Sequence, residues 1–559
     1  MAKVTFQPAN RSVEVQKGAS ILEAAKMAGV VVESPCNGFG TCGKCKVRLE
    51  PEFLNGISYE NDRHLSEAEK SRGVVLSCLA QVKDDLSVCV EESDRKESSA
   101  LAILGYAKAM TLEMDGFVKK QFSEPENLTR IYGGDEVLGV EPGNTEDRNY
   151  GMVVDIGTTT LVASLVDIRE GKELGSVFSL NPQVRHAQDV LSRIAMASEE
   201  HGLALLHSEL TAEINRMIDQ AARSLEIQRK NLYEVVYSGN TCMLHLAARI
   251  SPYSLGKYPY TPCMTGGTSL KATEFGLDIS EFGLLYLPPI ISAYVGADIT
   301  SGILASGLHK QQGVALFVDI GTNGEMVLAS EGRLSATSTA AGPAFEGMNI
   351  TCGMRADEGA VERFAVGEDG SVTIKTIGRT KAVGLCGSGL VDIVGELVAH
   401  GVIRKNGRFV DPQADFLPPA LRERLVRYNG KPGFRVSDGV YLLQKDVRQV
   451  QLAKGAVRAG VEILLQHRGI RAADVDRVLI AGAFGYHLRT YSLINIGLLP
   501  REFEGRIEFI GNTSKSGGQA FLLNRAYRRE MTEVAKAVDV LELANFEAFE
   551  KVFVHCLSF

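Results

Sequence analysis

Two segments of this 559-residue chain echo one another: MVVDIGTTTLVASLVD at 152–167 and LFVDIGTNGEMVLAS at 316–330. In each, a β-branched and aliphatic run ends on an aspartate and a glycine follows two positions later. Hydroxyl or amide side chains fill the turn before a second apolar run begins. Asp155 and Asp319 stand 164 residues apart, far beyond a solenoid period, so the echo predicts two lobes of like topology, each opening with strand, glycine turn and strand. Elsewhere short β-branched strands alternate with long amphipathic segments, such as Val190–Leu225 and Gln449–His467, which is an α/β signature.

The turns have their own chemistry. Asp155 and Asp319 sit at strand ends, Gly157 and Gly321 allow tight turns, and Thr158, Thr159, Thr160, Thr322 and Asn323 offer donors. Such turns can wrap phosphate oxygens while the carboxylate holds Mg²⁺ through water. One D-x-G-T alone also arises by chance at strand ends; two copies at lobe-like separation carry more weight. A third element, VLIAGAFGYHL at 478–488, runs a strand into Gly482 and Gly485. Small residues there let a helix start approach an adenosine, or simply make a tight packing turn. GNTCM (239–243), YVGADIT (294–300), AAGPAFEG (340–347) and LCGSGLVD (385–392) either line a cleft between the lobes or are turns. Asp298 and Glu325 are candidates for orienting an attacking water, or carboxylates with no catalytic part.

The ten cysteines are unevenly placed: Cys36, Cys42, Cys45 and Cys78 cluster near the N-terminus, while Cys242, Cys263, Cys352, Cys386 and Cys556 are scattered. In SPCNGFGTCGKCKV, Cys36-x5-Cys42-x2-Cys45 is interleaved with Gly38, Gly40 and Gly43, which let the backbone curl so that N–H groups point at sulfur. Plant-type 2Fe-2S ferredoxins use a C-x4-C-x2-C loop plus one distant cysteine, so the first gap here is one residue longer. Structural zinc is the rival, but usually uses two C-x2-C knuckles. Around the loop the sequence predicts a hairpin of 3–8 and 11–16, a helix from Ser20 to Gly29, a strand at Lys46–Leu49, a short helix capped by Ser66, and strands at Val74–Ser77 and Leu86–Val90. Cys89 reads as a core residue. Residues 91–99 read as a linker, and 100–150 hold a possible helix (ALAILGYAKAM) and an unassigned stretch.

Bulk properties exclude several classes. With 45% hydrophobic and 23% charged residues the chain is neither disordered nor a coiled coil. A net charge of −8 without a basic tract argues against nucleic-acid or anionic-membrane binding. The start lacks a signal-peptide pattern, and the longest apolar stretch, Phe282–Val295, contains Pro288 and Pro289 and is too short to span a bilayer, so a cytoplasmic location is expected.

The first ninety residues resemble a β-grasp ferredoxin, with a cysteine spacing similar to the adrenodoxin-like group. The D-I-G-T turns followed by the A-G-A-F-G segment resemble the phosphate and adenosine motifs of the actin, sugar kinase and heat-shock chaperone ATPases. The expected fold is therefore an α+β β-grasp ferredoxin domain (1–90), then a linker and shortened middle region (91–150), then an α/β two-lobed actin-like ATPase domain (151–559, lobes starting near 151 and 314). Together with GNTCMLHL, YVGADITSG and DIGTNGE, this combination is similar to the reductive activators of corrinoid proteins. In that family a middle domain precedes the ATPase, whereas here only residues 100–150 stand between linker and lobes. The resemblance implies a 2Fe-2S cluster on Cys36, Cys42, Cys45 and Cys78, Mg-ATP, and ATP-dependent reduction of Co(II) to Co(I) in a corrinoid protein of a methyltransferase system. A low-potential electron donor and a homodimeric assembly complete the expectation. An ATP-dependent electron activator of another low-potential enzyme and a redox-regulated small-molecule kinase remain as alternatives.

Overall fold

Each D-I-G-T segment forms the first strand of a hairpin at the heart of a six-stranded sheet. The computed structural model describes residues 1–8, 10–28, 30, 32, 45–59, 65, 67–90, 113–482 and 488–559. The chain divides into two compact units, Met1–Glu97 with Pro182–Met196, and Ser98–Asn181 with Ala197–Phe559.

In the first unit a five-stranded sheet runs in the order Arg11–Val15, Ala2–Gln7, Leu86–Cys89, Lys46–Leu49, Val74–Leu76. The first two strands form the expected hairpin, with Ala2 opposite Val15 and Phe6 opposite Arg11, and Ala2–Gln7 pairs in parallel with Leu86–Cys89. Helix Ile21–Met27 starts at a reciprocal cap: the Glu23 amide donates to Ser20 Oγ at 3.1 Å and the Ser20 amide to Glu23 Oε2 at 2.8 Å. Val4, Phe6, Ile21, Val47, Leu76 and Val88 fill the space between helix and sheet. Cys89 is half-buried on the strand Leu86–Cys89. The Ser66 cap, the 91–99 linker and the ALAILGYAKAM helix lie outside the described residues.

In the second unit the two large sheets follow one plan. The order in the first is Lys172–Leu180, Thr160–Asp167, Tyr150–Ile156, Leu232–Gly239, Leu284–Leu287, Thr268–Lys271. In the other it is Arg333–Thr339, Gly324–Ser330, Ala315–Ile320, Arg477–Ala481, Ile507–Gly511, with Asp539–Val540 beyond Arg333–Thr339. Both aspartate strands pair antiparallel with the strand after the turn, and in parallel with a later strand. The echo in sequence is thus an echo in topology. Helices Ala297–Ser306 and Thr513–Leu523 pack closely, since a Cβ at Gly517 would fall 2.1 Å from the Ser301 carbonyl oxygen. The two amphipathic segments are helical over Val190–Ala197, Glu200–Ser224 and Gln444–His467.

The unassigned stretch within 100–150 contains a three-stranded antiparallel sheet, Val118–Ser123, Leu128–Gly133 and Glu136–Pro142. Its buried core is small: Val118 and Ile131 join Tyr233 and Leu284. Lys120 is buried beside it, donating to Glu141 Oε2 at 2.8 Å and to the Tyr233 hydroxyl at 2.9 Å.

Arg528 ties several of these elements together. Its guanidinium lies between the rings of Phe117 and Tyr286, 4.3 and 4.1 Å from their centroids, and donates to buried Glu234 Oε1 at 2.7 Å. Burial pushes the Glu234 carboxyl above its ordinary value. Arg528→Met should therefore destabilise this unit by about 3–5 kcal/mol, because it leaves a buried carboxylate unpaired. Adding Glu234→Leu should recover most of the loss in a denaturant titration; no recovery would show that the cost is not the orphaned charge. Among the described residues no helix is long and apolar enough to cross a membrane.

Candidate functional site

Both aspartate turns close on themselves, the Gly157 amide donating to the Thr160 carbonyl at 3.0 Å and the Gly321 amide to the Asn323 carbonyl at 2.9 Å. Glycine is required at the first, where a Cβ would fall 2.6 Å from the Thr160 oxygen. It is required again at Gly482, at a φ of 100°, where a Cβ would stand 2.9 Å from Asp319 Oδ1. The strand end after Arg477–Ala481 thus closes directly over the second aspartate. Gly485 lies outside the described residues.

Four buried carboxylates are linked through Asp298 and Asp319: Asp155 and Asp319 from the strand ends, Asp298 from the first turn of helix Ala297–Ser306, and Glu325 directly opposite Asp319 in its hairpin. Desolvation pushes Asp298 and Asp319 up to about 7. Asp155 adds to the rise of both, and Asp298 adds to that of Asp319. Glu325, 6% exposed, is raised well above the ordinary range by burial, then by Asp298 and Asp319. Asp155 is raised by burial too, against hydrogen bonds that favour its charge: Asn512 Nδ2 and Ser514 Oγ each donate to it at 2.8 Å. Lys515 is the cation that eases Asp155, and its ammonium lies 3.2 Å from Glu173. Among the described residues no three His, Cys, Asp or Glu stand close enough to hold a metal by themselves.

Several residues at this site escape a reading of the sequence. Asn512, Ser514 and Lys515 belong to GNTSK, which repeats the G-N-T of 239–241. Both asparagines cap helices, Asn240 Oδ1 accepting from the Met243 amide at 3.0 Å and Asn512 Oδ1 from the Lys515 amide at 2.9 Å. Asn240 Nδ2 also donates to Thr158 Oγ1 at 3.3 Å. That recurrence was the available signal. Asn181 braces the first turn, its Nδ2 donating to the Gly157 carbonyl at 2.9 Å, and has no motif to announce it. Glu346, inside the AAGPAFEG segment, accepts the Thr159 hydroxyl at 3.1 Å on Oε2 and the Thr322 hydroxyl on Oε1. Thr160 opens the outgoing strand Thr160–Asp167.

Of the four clustered cysteines, Cys36 and Cys42 lie outside the described residues. Cys45 is buried just before strand Lys46–Leu49, and Cys78 follows strand Val74–Leu76, the two strands being antiparallel neighbours. That pairing sets their sulfurs 3.2 Å apart, too far for a disulfide at ~2.05 Å. The shared hydrogen bond, outweighing burial, pulls the Cys45 thiol well below its ordinary value. Adjacent sulfurs, one already inclined to ionise, fit a pair of thiolate ligands.

Comparison with known proteins agrees with this arrangement. Residues 4–83 match a model described as a 2Fe-2S iron-sulfur cluster binding domain, 150–311 the RACo middle region, and 313–559 the C-terminal domain of RACo, the ASKHA domain. A solved structure described as the reductive activator for corrinoid, iron-sulfur protein is 30% identical, with a TM-score of 0.73, over 100% of this chain and 98% of its own. The chain belongs to the RACo family. The corrinoid activation enzyme RamQ of Eubacterium limosum is 29% identical across 99% of this chain and 98% of that protein. A Methanosarcina barkeri reductase of the Co(II) methylated amine-specific corrinoid protein is 26% identical across 73% and 77%. The fold is accordingly an N-terminal ferredoxin domain followed by an actin-like ASKHA domain. In this RACo-family chain the middle-region model matches 150–311, the stretch that carries Asp155, and its match begins after residue 149.

Proposed function

We propose that this protein reduces a corrinoid protein from Co(II) to Co(I), passing single electrons through a 2Fe-2S cluster in residues 1–90 and using Mg-ATP bound in residues 151–559. Cys36, Cys42, Cys45 and Cys78 are its cluster ligands in this reading; a cluster held there supplies one-electron chemistry at low potential. Asp155, Asp319, Asp298 and Glu325 serve the metal and the attacking water. Gly157, Thr158, Thr159, Thr160, Gly321, Thr322 and Asn323 serve the phosphates, and Gly482 and Gly485 the adenosine. The corrinoid protein and a low-potential donor are its partners, and the cytoplasm its setting.

The observation that carries the reading is the cluster of buried carboxylates in the second unit. Burial holds Asp155, Asp298, Asp319 and Glu325 toward their neutral forms, with Lys515 the cation that eases Asp155, and a divalent cation would favour their ionised forms. Mg²⁺ suits such a site, because it keeps waters and phosphate oxygens in its shell and needs no all-protein cage. Full-length likeness to corrinoid activators supports the choice of substrate.

The test mixes reduced protein, Mg-ATP and a panel of corrinoid proteins, and follows the Co(II) to Co(I) absorbance change. Co(I) should accumulate with at least one partner. Phosphate transfer to a soluble acceptor with no Co(I) from any partner would favour a kinase instead. Anaerobically purified protein should carry iron and acid-labile sulfide in equal amounts, about two of each per chain. Zinc without iron, after growth with ample iron, would exclude the cluster.

A further inference from the structure

Glu346 stands where the nucleotide reading needs phosphate. One carboxylate spans two turns, accepting the hydroxyl of Thr159 from the first D-I-G-T turn and that of Thr322 from the second. These are donors that reading assigns to phosphate oxygens. The carboxylate also has the means to reach them: it ends a short helical turn, Pro343–Glu346, set between Gly342 and Gly347 at φ of 76° and 80°. The Gly342 amide donates to the Thr322 carbonyl at 2.9 Å, which docks this segment on the second turn. A Cβ at Gly347 would fall 2.4 Å from the Met354 carbonyl oxygen, which anchors the far side. The segment is therefore held at both ends with its one anionic side chain pointing at both turns.

We propose that the Glu346 carboxylate is a built-in competitor for the phosphate subsite: it bridges Thr159 and Thr322 when no nucleotide is bound and gives up both hydroxyls when phosphate enters. The proposal rests on the nucleotide reading above. An anion already seated on the donors opposes a second anion twice, by occupying the hydroxyls and by like charge. Its release breaks a bond between Thr159 of the first lobe and Glu346 of the second, so nucleotide entry changes what joins the lobes. This gives ATP a differential effect on two arrangements of the cleft, which a ligand that merely filled an empty hole would lack.

Full-length protein is titrated calorimetrically with Mg²⁺ and a non-hydrolysable ATP analogue, as wild type, Glu346→Ala and Glu346→Gln. Both variants should bind at least about tenfold more tightly, since each removes the competing charge. Gln keeps the size of the side chain and so covers the case in which Ala disturbs the fold. Unchanged or weaker binding by a folded variant overturns the proposal while leaving nucleotide binding intact. Failure of the wild type and both folded variants to bind removes the nucleotide reading, and the proposal with it. Binding by the variants alone would support the proposal in its strongest form.

Discussion

Asp319→Asn is expected to cut ATP turnover by more than about a hundredfold while leaving the visible spectrum of the cluster unchanged. If Asp319 serves the metal as proposed, its removal costs an interaction worth several kcal/mol at a developing charge, where each 1.36 kcal/mol is a factor of ten. The spectrum should survive because Asp319 and the cysteines belong to different compact units. A second readout separates charge from damage. Asp319 is pushed up to about 7, against about 3.9 in an unfolded chain. The folded, nucleotide-free protein therefore holds this proton more tightly than the unfolded chain does. Below pH 4 both states are protonated and Asp319 costs nothing. As pH rises from 4 to 7 the unfolded chain ionises first and stability falls; above 7 the penalty is complete, a few kcal/mol at most. Asp319→Asn removes that penalty, so in chelator without nucleotide its thermal midpoint should exceed wild type at pH 8 and converge with it as pH falls below 4. Equal midpoints at pH 8 would mean that the carboxylate is not held protonated, and bleaching of the cluster in a folded variant would refute the separation of the two functions.

The same electrostatics predicts proton release when the cation arrives. Mg²⁺ favours the ionised forms of Asp298 and Asp319, both near 7, so Mg-nucleotide binding should expel protons at pH 6.5 and strengthen as pH rises through 7. Calorimetry in two buffers of different ionisation enthalpy reads this directly; proton uptake would contradict the assignment.

What the sequence disclosed, and what it concealed, follows from how local each signal was. The D-I-G-T echo was legible because a strand, a turn and a strand are written in consecutive residues, and the topology repeats it. The Ser20 cap and the strand at Lys46–Leu49 were legible for the same reason. The sheet at 118–142 was not, since few of its side chains are buried and its core borrows Tyr233 and Leu284 from distant segments. Asn512 and Ser514 reach Asp155 across more than 350 residues of chain. No local pattern announces such a bond, although the second G-N-T hinted at it. Glu346 was hidden inside a segment read only as a possible cleft lining, because what distinguishes it is the convergence of two remote threonines.

The largest effect expected is on the electron itself. With the cluster reduced and a corrinoid partner present, Co(I) should accumulate at equilibrium only when Mg-ATP is added. A plant-type cluster sits near about −400 mV, and Co(I) is a stronger reductant than that. Each ~59 mV of uphill gap lowers the Co(I) to Co(II) ratio tenfold. ATP can lift that ratio only by binding one arrangement of protein and partner better than another. Linkage then requires the partner to alter nucleotide affinity in return. Cys78→Ala and Asp319→Asn should both abolish Co(I) formation, but in opposite ways. Cys78→Ala, once shown to be folded, should keep partner-dependent changes in ATP turnover, because the cleft is intact, yet carry no electron. Asp319→Asn should keep a reducible cluster and lose the response to ATP. A trap that methylates Co(I) as it forms distinguishes an unfavourable equilibrium from an inactive protein, since the trap pulls the first forward and leaves the second unchanged. Equal Co(I) yields with and without ATP in the untrapped assay would show that the nucleotide lobes do no work on the electron, leaving the cluster domain as a plain carrier.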